Sequence, residues 1–380
     1  MNFCSRRSIN WVLEFFTVVA VIWIAWIVSR RQPMHAFIAG DLGGTNCRLV
    51  MVQIDTNGQE TTIFEKVYKS QQHPHLVVIL QTFIHEANSK ISPRVACIAV
   101  AGPVTKNRVA HITNLNWNLD AEQMAQQLHL EEVFLLNDFA AIGYGILGLK
   151  PEDVVQLNNA TPLENAPIAC LGAGTGLGEV FLTHNGKEYD VWPSEGGHTD
   201  FPTRTVLEFE LMEFVKKTSA VDRVSVERIV SGSGLPGIYR FFKSRHPHLI
   251  GQAVEEEIRQ GSDPGEVITR HSLDGTDVLC QQTFETWMAA YGAEAGNLAL
   301  KTLSFGGVYI AGGIAPKILK AFTNSDTFYS NMCSKGRMKE VIQSMPVYIV
   351  KGSTIGMIGA KVVSHRRFRA LDDHGCSTNH

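Results

Sequence analysis

The sequence predicts an α/β protein of two domains, the second interrupted by a helical insertion. Three observations carry that prediction. Apolar strand-like runs alternate with helical patterns from Phe37 onward. A glycine-rich loop between two strands occurs near residue 42 and again near residue 174. Each loop opens a strand-turn-strand unit that later gives way to strand–helix alternation. One architectural plan used twice accounts for all three, and folds of this class take ligands in the cleft between domains.

The strand-like runs are 36–39, 48–54, 95–100, 133–136, 168–171, 179–183, 308–311 and 347–350. Helical periodicity marks 75–87, 121–128, 139–147, 206–216 and a long stretch at 276–303, with Asp120 and Thr205 placed as N-caps. A helical insertion of roughly 203–305 falls inside the second copy. The expected bounds are a small α/β domain over 34–149, completed by a C-terminal helix over 354–371, and a large one over 150–353.

Composition bounds what such a chain can bind. It has 380 residues, 44% hydrophobic and 19% charged, with a formal net charge of −3. That is a globular balance, and the absence of a basic run excludes nucleic acid as an expected partner. An anionic ligand must therefore be held by local backbone dipoles. The seven cysteines, at 4, 47, 97, 170, 280, 333 and 376, include no C-x-x-C pair. Neither a disulfide framework nor a cysteine zinc site is expected, and Cys97 and Cys170 read as small buried residues in apolar strands.

The first loop reads Gly40, Asp41, Leu42, Gly43, Gly44, Thr45, Asn46 between apolar strands. Glycines there let successive N–H groups converge on phosphate oxygens, and Thr45 and Asn46 add side-chain donors. Asp41 would repel a phosphate unless a cation intervened, which calls for Mg²⁺ reached through water. A plain hairpin with a polar rim is the alternative. The second loop, 172–178, contains Gly174, Thr175 and Gly176. It lacks the third glycine of the dinucleotide fingerprint and the Gly-Lys-Ser/Thr of the Walker A loop, and a strand follows it where both motifs need a helix. A third element ends a buried strand in Gly312 and Gly313, a turn able to admit adenine and ribose, or simply a strand-to-helix turn. Phosphate loop, second phosphate loop and Gly-Gly turn in this order resemble the actin-like ATPase superfamily.

On the acceptor side, Asn137 and Asp138 stand where an apolar strand ends and a helix begins. A carboxylate there can accept a hydroxyl proton during phosphoryl transfer, or merely cap the helix. Glu195, Gly196, Gly197 and His198 follow the second hairpin, and the acid and imidazole offer the acceptor and mixed donor/acceptor that adjacent sugar hydroxyls need. A zinc role for His198 lacks a second ligand at suitable spacing. Glu227 is either a further ligand or a solvated helix residue.

Taken together, residues 40–48, 113–117, 137–139, 172–178, 195–198, 227–228 and 305–314 are similar to the bacterial glucokinase family, in order from about Ala36 to about Ser364. The resemblance implies two actin-like ATPase (ribonuclease H-like) domains, with ATP and Mg²⁺ as donor system and glucose as acceptor. It maps sugar ligands onto Asn137, Asp138, Glu195, His198 and Glu227, with Asp138 the base on the 6-hydroxyl and Asn114 a further sugar contact. It assigns ATP to Gly40, Asp41, Leu42, Gly43, Gly44, Thr45, Asn46, Gly174, Thr175, Gly176, Gly312 and Gly313. The C-x-C-G zinc motif of the separate repressor/ORF/kinase family is lacking. Glu179 is acidic where the glucokinase family is usually apolar, and no role is assigned to it. The rival reading is a non-enzymatic ATP-driven switch or sugar sensor, which would have no need of the sugar-side residues. A homodimer is left open.

The first 33 residues have no counterpart in that core. Residues 11–28 are apolar but for a few positions and carry one charge, Glu14, with arginines on both flanks. Eighteen helical residues reach about 27 Å, slightly short of a hydrocarbon core of roughly 30 Å. The expectation is a cytoplasmic enzyme starting at Met34 or carrying a dispensable extension, the alternative being an anchor on the cytoplasmic face of the membrane. A chain beginning at Met34 is expected to be soluble and fully active. Loss of activity on removing residues 1–33 would overturn that.

Overall fold

The structure, a computed structural model, describes residues 35–55 and 58–376. β1 (His35–Leu42) and β2 (Asn46–Ile54) form an antiparallel hairpin, and β3 (Glu60–Lys69) pairs with the far side of β2. With β4 (Pro93–Val100) and the later β8 (Glu132–Asn137), they make a five-stranded sheet ordered β3-β2-β1-β4-β8. Between β4 and β8 lie the short strands β5 (Val104–Thr105), β6 (Val109–Ile112) and β7 (Trp117–Asp120). The second sheet comprises β9 (Val154–Gln156), β10 (Ile168–Ala173), β11 (Leu177–His184), β12 (Tyr189–Ser194), β13 (Gly307–Ala311) and β14 (Val347–Val350), ordered β12-β11-β10-β13-β14-β9. In each sheet an antiparallel meander has its first strand innermost, and two later strands extend from that strand's other side. This is the actin-like ATPase plan twice over, with β9 added at one edge.

The central strands are continuous apolar runs because both their faces are covered: all six residues of β10 are buried. β13 and β14 run parallel to β10 and to each other in turn. The edge strands are different. β3 is mostly exposed and carries Glu60, Glu65, Lys66 and Lys69, while β12 is half-exposed and contains Pro193, which an edge tolerates. Neither forms the continuous apolar run that marks the central strands, because charged or polar residues interrupt both.

Helices Val206–Thr218, Leu235–Arg245, Gln252–Arg259, Pro264–Leu273 and Val278–Thr302 fill the insertion between β12 and β13. The longest buries Trp287, Tyr291, Ala295 and Leu298 against a core that includes Leu171 of β10 and Ile310 of β13. Both expected N-caps are present: the Asp120 carboxylate accepts from the Glu122 and Gln123 N–H groups at 3.0 and 3.1 Å, and the Thr205 hydroxyl accepts from Glu208 N–H at 3.2 Å.

The chain divides into two compact units. One contains the described residues up to Ile98, His111–Phe134 and the chain from Ser364; the other contains Ala99–Ala110 and Leu135–Val363. This differs from the bounds expected at 149/150. Helix Asp138–Ile146 belongs with the second sheet, because Gly143 comes against Val180 and Val191, and Gly145 against the Ile355 carbonyl, with no room for a side chain at either. The final helix Ile355–Cys376 is shared: up to Val363 it belongs to the second unit, whereas Ser364 donates to the Ile38 carbonyl at 2.9 Å and Arg367 pairs with Glu132 in the first.

Cys47, Cys97, Cys170, Cys280 and Cys333 are free and buried. Among the described residues no helix is long and apolar enough to cross a membrane. The apolar stretch 11–28 lies outside the described residues.

Candidate active site

The second glycine-rich loop is a tight connection from β10 to β11, with Gly172 opposite Gly178 and Ala173 opposite Leu177. Gly174 N–H donates to the Gly176 carbonyl at 2.8 Å and the Gly174 carbonyl accepts from Gly232 N–H, also at 2.8 Å. Ser233 Oγ donates to the Thr175 carbonyl at 2.9 Å. The Gly312–Gly313 turn reaches the same place. Ile314 N–H donates to the Ala173 carbonyl at 3.2 Å, and Gly312 takes a φ of +85°, a left-handed conformation that favours glycine. Gly174 and the turn after β13 are thus brought together around a cavity of about 620 Å³. Gly174, Thr175, Gly232, Ser233, Gly265 and Ile314 line it, with Arg270 and Lys317 as its basic residues.

The long helix Val278–Thr302 holds this arrangement from behind. Trp287 Nε1–H donates to the Ser231 carbonyl at 3.0 Å, and the Tyr291 hydroxyl accepts from Ala173 N–H at 3.1 Å. Both side chains are fully buried. The sequence reading missed the 231–233 turn, Gly265 and these two aromatics. A serine–glycine–serine turn has no spacing rule of its own. The available signal was the Trp287–Tyr291 pair, at the i, i+4 spacing that puts both on one helix face.

The sugar-side residues of the second unit also converge. Glu195 and His198 flank a short turn of 3₁₀ helix after β12. His198 Nε2 lies 3.7 Å from Glu195 Oε2, and its Nδ1 lies 3.8 Å from Glu227 Oε1. Glu227 is not a solvated helix residue. Its Oε2 accepts from Leu177 N–H at 2.9 Å, so one carboxylate joins the phosphate hairpin to the His198 loop. A side chain at Gly176 would start 2.4 Å from that same oxygen, which ties the glycine's identity to Glu227.

Asp138 opens helix Asp138–Ile146, but the cap is Asn137. The Asn137 Oδ1 accepts from Phe139 N–H at 2.9 Å and Ala140 N–H at 3.1 Å, and its Nδ2 donates to the Gly102 carbonyl and to Asp138 Oδ1, both at 3.0 Å. Asp138 Oδ1 also accepts from Phe139 N–H at 2.8 Å. The capping alternative considered for Asp138 therefore passes to its neighbour, which leaves the carboxylate oriented by two donors.

The remaining expected residues belong to the first unit. Gly40, Asp41 and Leu42 end β1, Asn46 begins β2, and Gly43, Gly44 and Thr45 turn between them, with Gly43 N–H donating to the Asn46 carbonyl at 2.9 Å. Hairpin and candidate phosphate loop are here the same object. Burial pushes the Asp41 carboxyl up, and Arg48, its cross-strand partner, opposes that rise. Ser70 clamps the turn, its hydroxyl donating to the Gly43 carbonyl and its N–H to the Thr45 carbonyl, each at 2.9 Å. Lys69 Nζ donates to Asn46 Oδ1 at 2.9 Å, putting a cation beside the turn that the sequence reading did not single out. Asn114 lies against Gly44, its Cβ 3.5 Å from where a side chain at that glycine would begin.

A family model for glucokinase matches residues 38–367. The chain belongs to the glucokinase family. The glucokinase of Trichormus variabilis is 44% identical over 343 residues, covering 88% of this chain and all of that protein. Among solved structures, a glucokinase from an Antarctic psychrotroph is similar with a TM-score of 0.76 at 27% identity, covering 88% of this chain and all of the other. A glucokinase of the repressor/ORF/kinase family from Streptomyces griseus, in complex with glucose and AMPPNP, shares the fold with a TM-score of 0.55 at 18% identity, covering 87% of this chain and 99% of the other. As a family member the chain is an ATP-dependent hexose kinase, and the switch or sensor reading is not favoured.

Proposed function

We propose that this chain transfers the γ-phosphate of ATP to the 6-hydroxyl of glucose, with Asp138 as the general base. The observation that carries the site assignment is the double role of Glu227, whose two oxygens face the phosphate hairpin at Leu177 N–H and the imidazole of His198. A protein that only bound nucleotide would have no use for that link. Glu195, His198 and Glu227 supply acceptors and a mixed donor/acceptor for neighbouring sugar hydroxyls, a pattern that fixes which hydroxyls are presented. Asn137 serves through Asp138, holding helix and carboxylate in one orientation. As the 6-oxygen attacks phosphorus, its proton passes to Asp138 and the bond to ADP breaks. The family resemblance is what supports a sugar contact for Asn114.

The nucleotide falls to the two glycine hairpins and the turn at Gly312 and Gly313. The first hairpin offers the phosphates the N–H groups of Gly43, Gly44, Thr45 and Asn46, and the second offers those of Gly174, Thr175 and Gly176. The adenosine takes the cavity beside Gly232 and Ile314. The donor set fits Mg²⁺: Asp41 is one carboxylate at the end of a phosphate hairpin, and Mg²⁺ takes one or two carboxylates, keeping phosphate and water as its other ligands. Asp41 would hold it through water, and the ion, when bound, neutralises charge on the β- and γ-phosphate oxygens. A cytoplasmic location would supply the ATP that this reading requires.

The test is a coupled assay of a hexose panel with ATP on the parent and on Glu195→Ala and His198→Ala. Glucose is expected to be the preferred acceptor. Each variant should raise the glucose KM at least ~10-fold, since a hydrogen bond to a charged partner is worth about 1.5–3 kcal/mol. ATP affinity by calorimetry should stay nearly unchanged. Equal loss of ATP affinity would move this loop to the nucleotide side.

A further inference from the structure

Glu179 sits in β11 directly behind the turn that carries Glu195 and His198. It is 2% exposed, and its Oε1 has no hydrogen-bond partner. Its Oε2 lies 1.9 Å from where a side chain at Gly196 would begin, so the carboxyl rests against the backbone of that turn. β11 and β12 pair here, with Glu179 opposite Ser194, whose Oγ accepts from Gly196 N–H at 3.0 Å. A cavity of about 450 Å³, lined by Glu179, Ser194, Gly196, Thr199 and Lys301, adjoins the same spot. A buried carboxyl with an unpartnered oxygen is costly, and an apolar residue would fill β11 at less expense.

We propose that Glu179 is a positioning residue for sugar binding, its carboxyl propping the Gly196 backbone so that Glu195 and His198 are held in register with Glu227. This rests on the reading of that turn as the glucose site. The titratable groups that act on Glu179 electrostatically lie on the helix Val278–Thr302. They are Glu294, which is 3% exposed and also has an unpartnered oxygen, Lys301, which approaches Glu294 at 3.9 Å, and the Tyr291 hydroxyl that holds Ala173. Lys335 stands behind Glu294 and binds the Ala293 carbonyl and Asn297. Burial first, then the like charge of Glu294, push the Glu179 carboxyl up to about 7, with Lys301 opposing. The neutral acid therefore props the turn below that pH. Above it, ionisation places under Gly196 a buried charge that Lys301 offsets only in part, and the turn loosens.

The expected result is a glucose KM that rises as pH passes upward through about 7, with ATP affinity little affected. Glu179→Gln, which keeps the shape of the neutral acid, should bind glucose as the parent does at low pH and lose that component of the pH dependence. Glu179→Ala should raise the glucose KM at all pH values, by roughly tenfold. Lys301→Met, which removes the opposing charge, should move the midpoint to higher pH. A purely structural carboxyl would change thermal stability in these variants without moving the pH profile. An unchanged profile in Glu179→Gln, or a shift in Lys301→Met to lower pH, overturns the proposal. His198→Ala measured alongside separates the two claims. If it leaves the glucose KM unchanged, the site reading fails; if it raises KM while the Glu179 variants behave as the parent, only the positioning role fails.

Discussion

Asp138→Asn is expected to lower kcat by at least ~10²-fold while preserving the fold and much of the glucose affinity, the usual scale for losing a positioned general base. The substitution isolates proton transfer because it spares the local geometry. A side-chain carbonyl at this position still accepts from Phe139 N–H and Asn137 Nδ2, the two bonds that orient Asp138 Oδ1. The cap of the helix belongs to Asn137 and is untouched. What is lost is the capacity to accept the proton of the attacking hydroxyl. Single-turnover kinetics separate chemistry from binding, and circular dichroism with glucose titration checks the fold. Near-normal kcat in a correctly folded variant would remove Asp138 from its role as base.

Glu227→Ala should be the most damaging change on the sugar side, lowering kcat/KM by at least ~10²-fold. Unlike Glu195→Ala or His198→Ala, it should weaken ATP as well as glucose. The reason is its two attachments. One oxygen accepts from Leu177 N–H at the end of the second glycine hairpin, and the other stands 3.8 Å from His198 Nδ1. Losing the charged acceptor of Leu177 N–H costs about 1.5–3 kcal/mol, and losing the sugar contact proposed for Glu227 adds to it. Leaving Leu177 N–H without its acceptor also loosens the turn that must converge on phosphate. Calorimetry for each substrate separately is the measurement. A loss confined to glucose would mean that the hairpin keeps its shape without Glu227.

Much of the fold was legible because its strongest elements are repetitive and apolar. β1, β4, β10 and β13 are buried runs bounded by glycine or polar residues, and the insertion helices carry an apolar face. The edges were not legible. β3 and β12 pair with β2 and β11 at the edges, and charged or polar residues break up their strand-favouring ones, so neither forms a continuous apolar run. The placement of helix Asp138–Ile146 with the second sheet was likewise invisible, because it depends on Gly143 and Gly145 letting that helix approach Val180, Val191 and Ile355.

The sequence by itself determined the two-fold plan, the glycine hairpins and the order of the glycine-rich and carboxylate-bearing elements, because these rest on residue types and spacings along one strand or turn. Only the tertiary structure decided how the chemistry is supported. It made Asn137 rather than Asp138 the cap, joined Glu227 to Leu177 across fifty positions of sequence, and set Trp287 and Tyr291 behind the nucleotide turns. It also put the unpartnered carboxyl of Glu179 against Gly196. Such links join backbone groups to side chains far apart in the chain, and their strength depends on burial, which a local pattern does not encode.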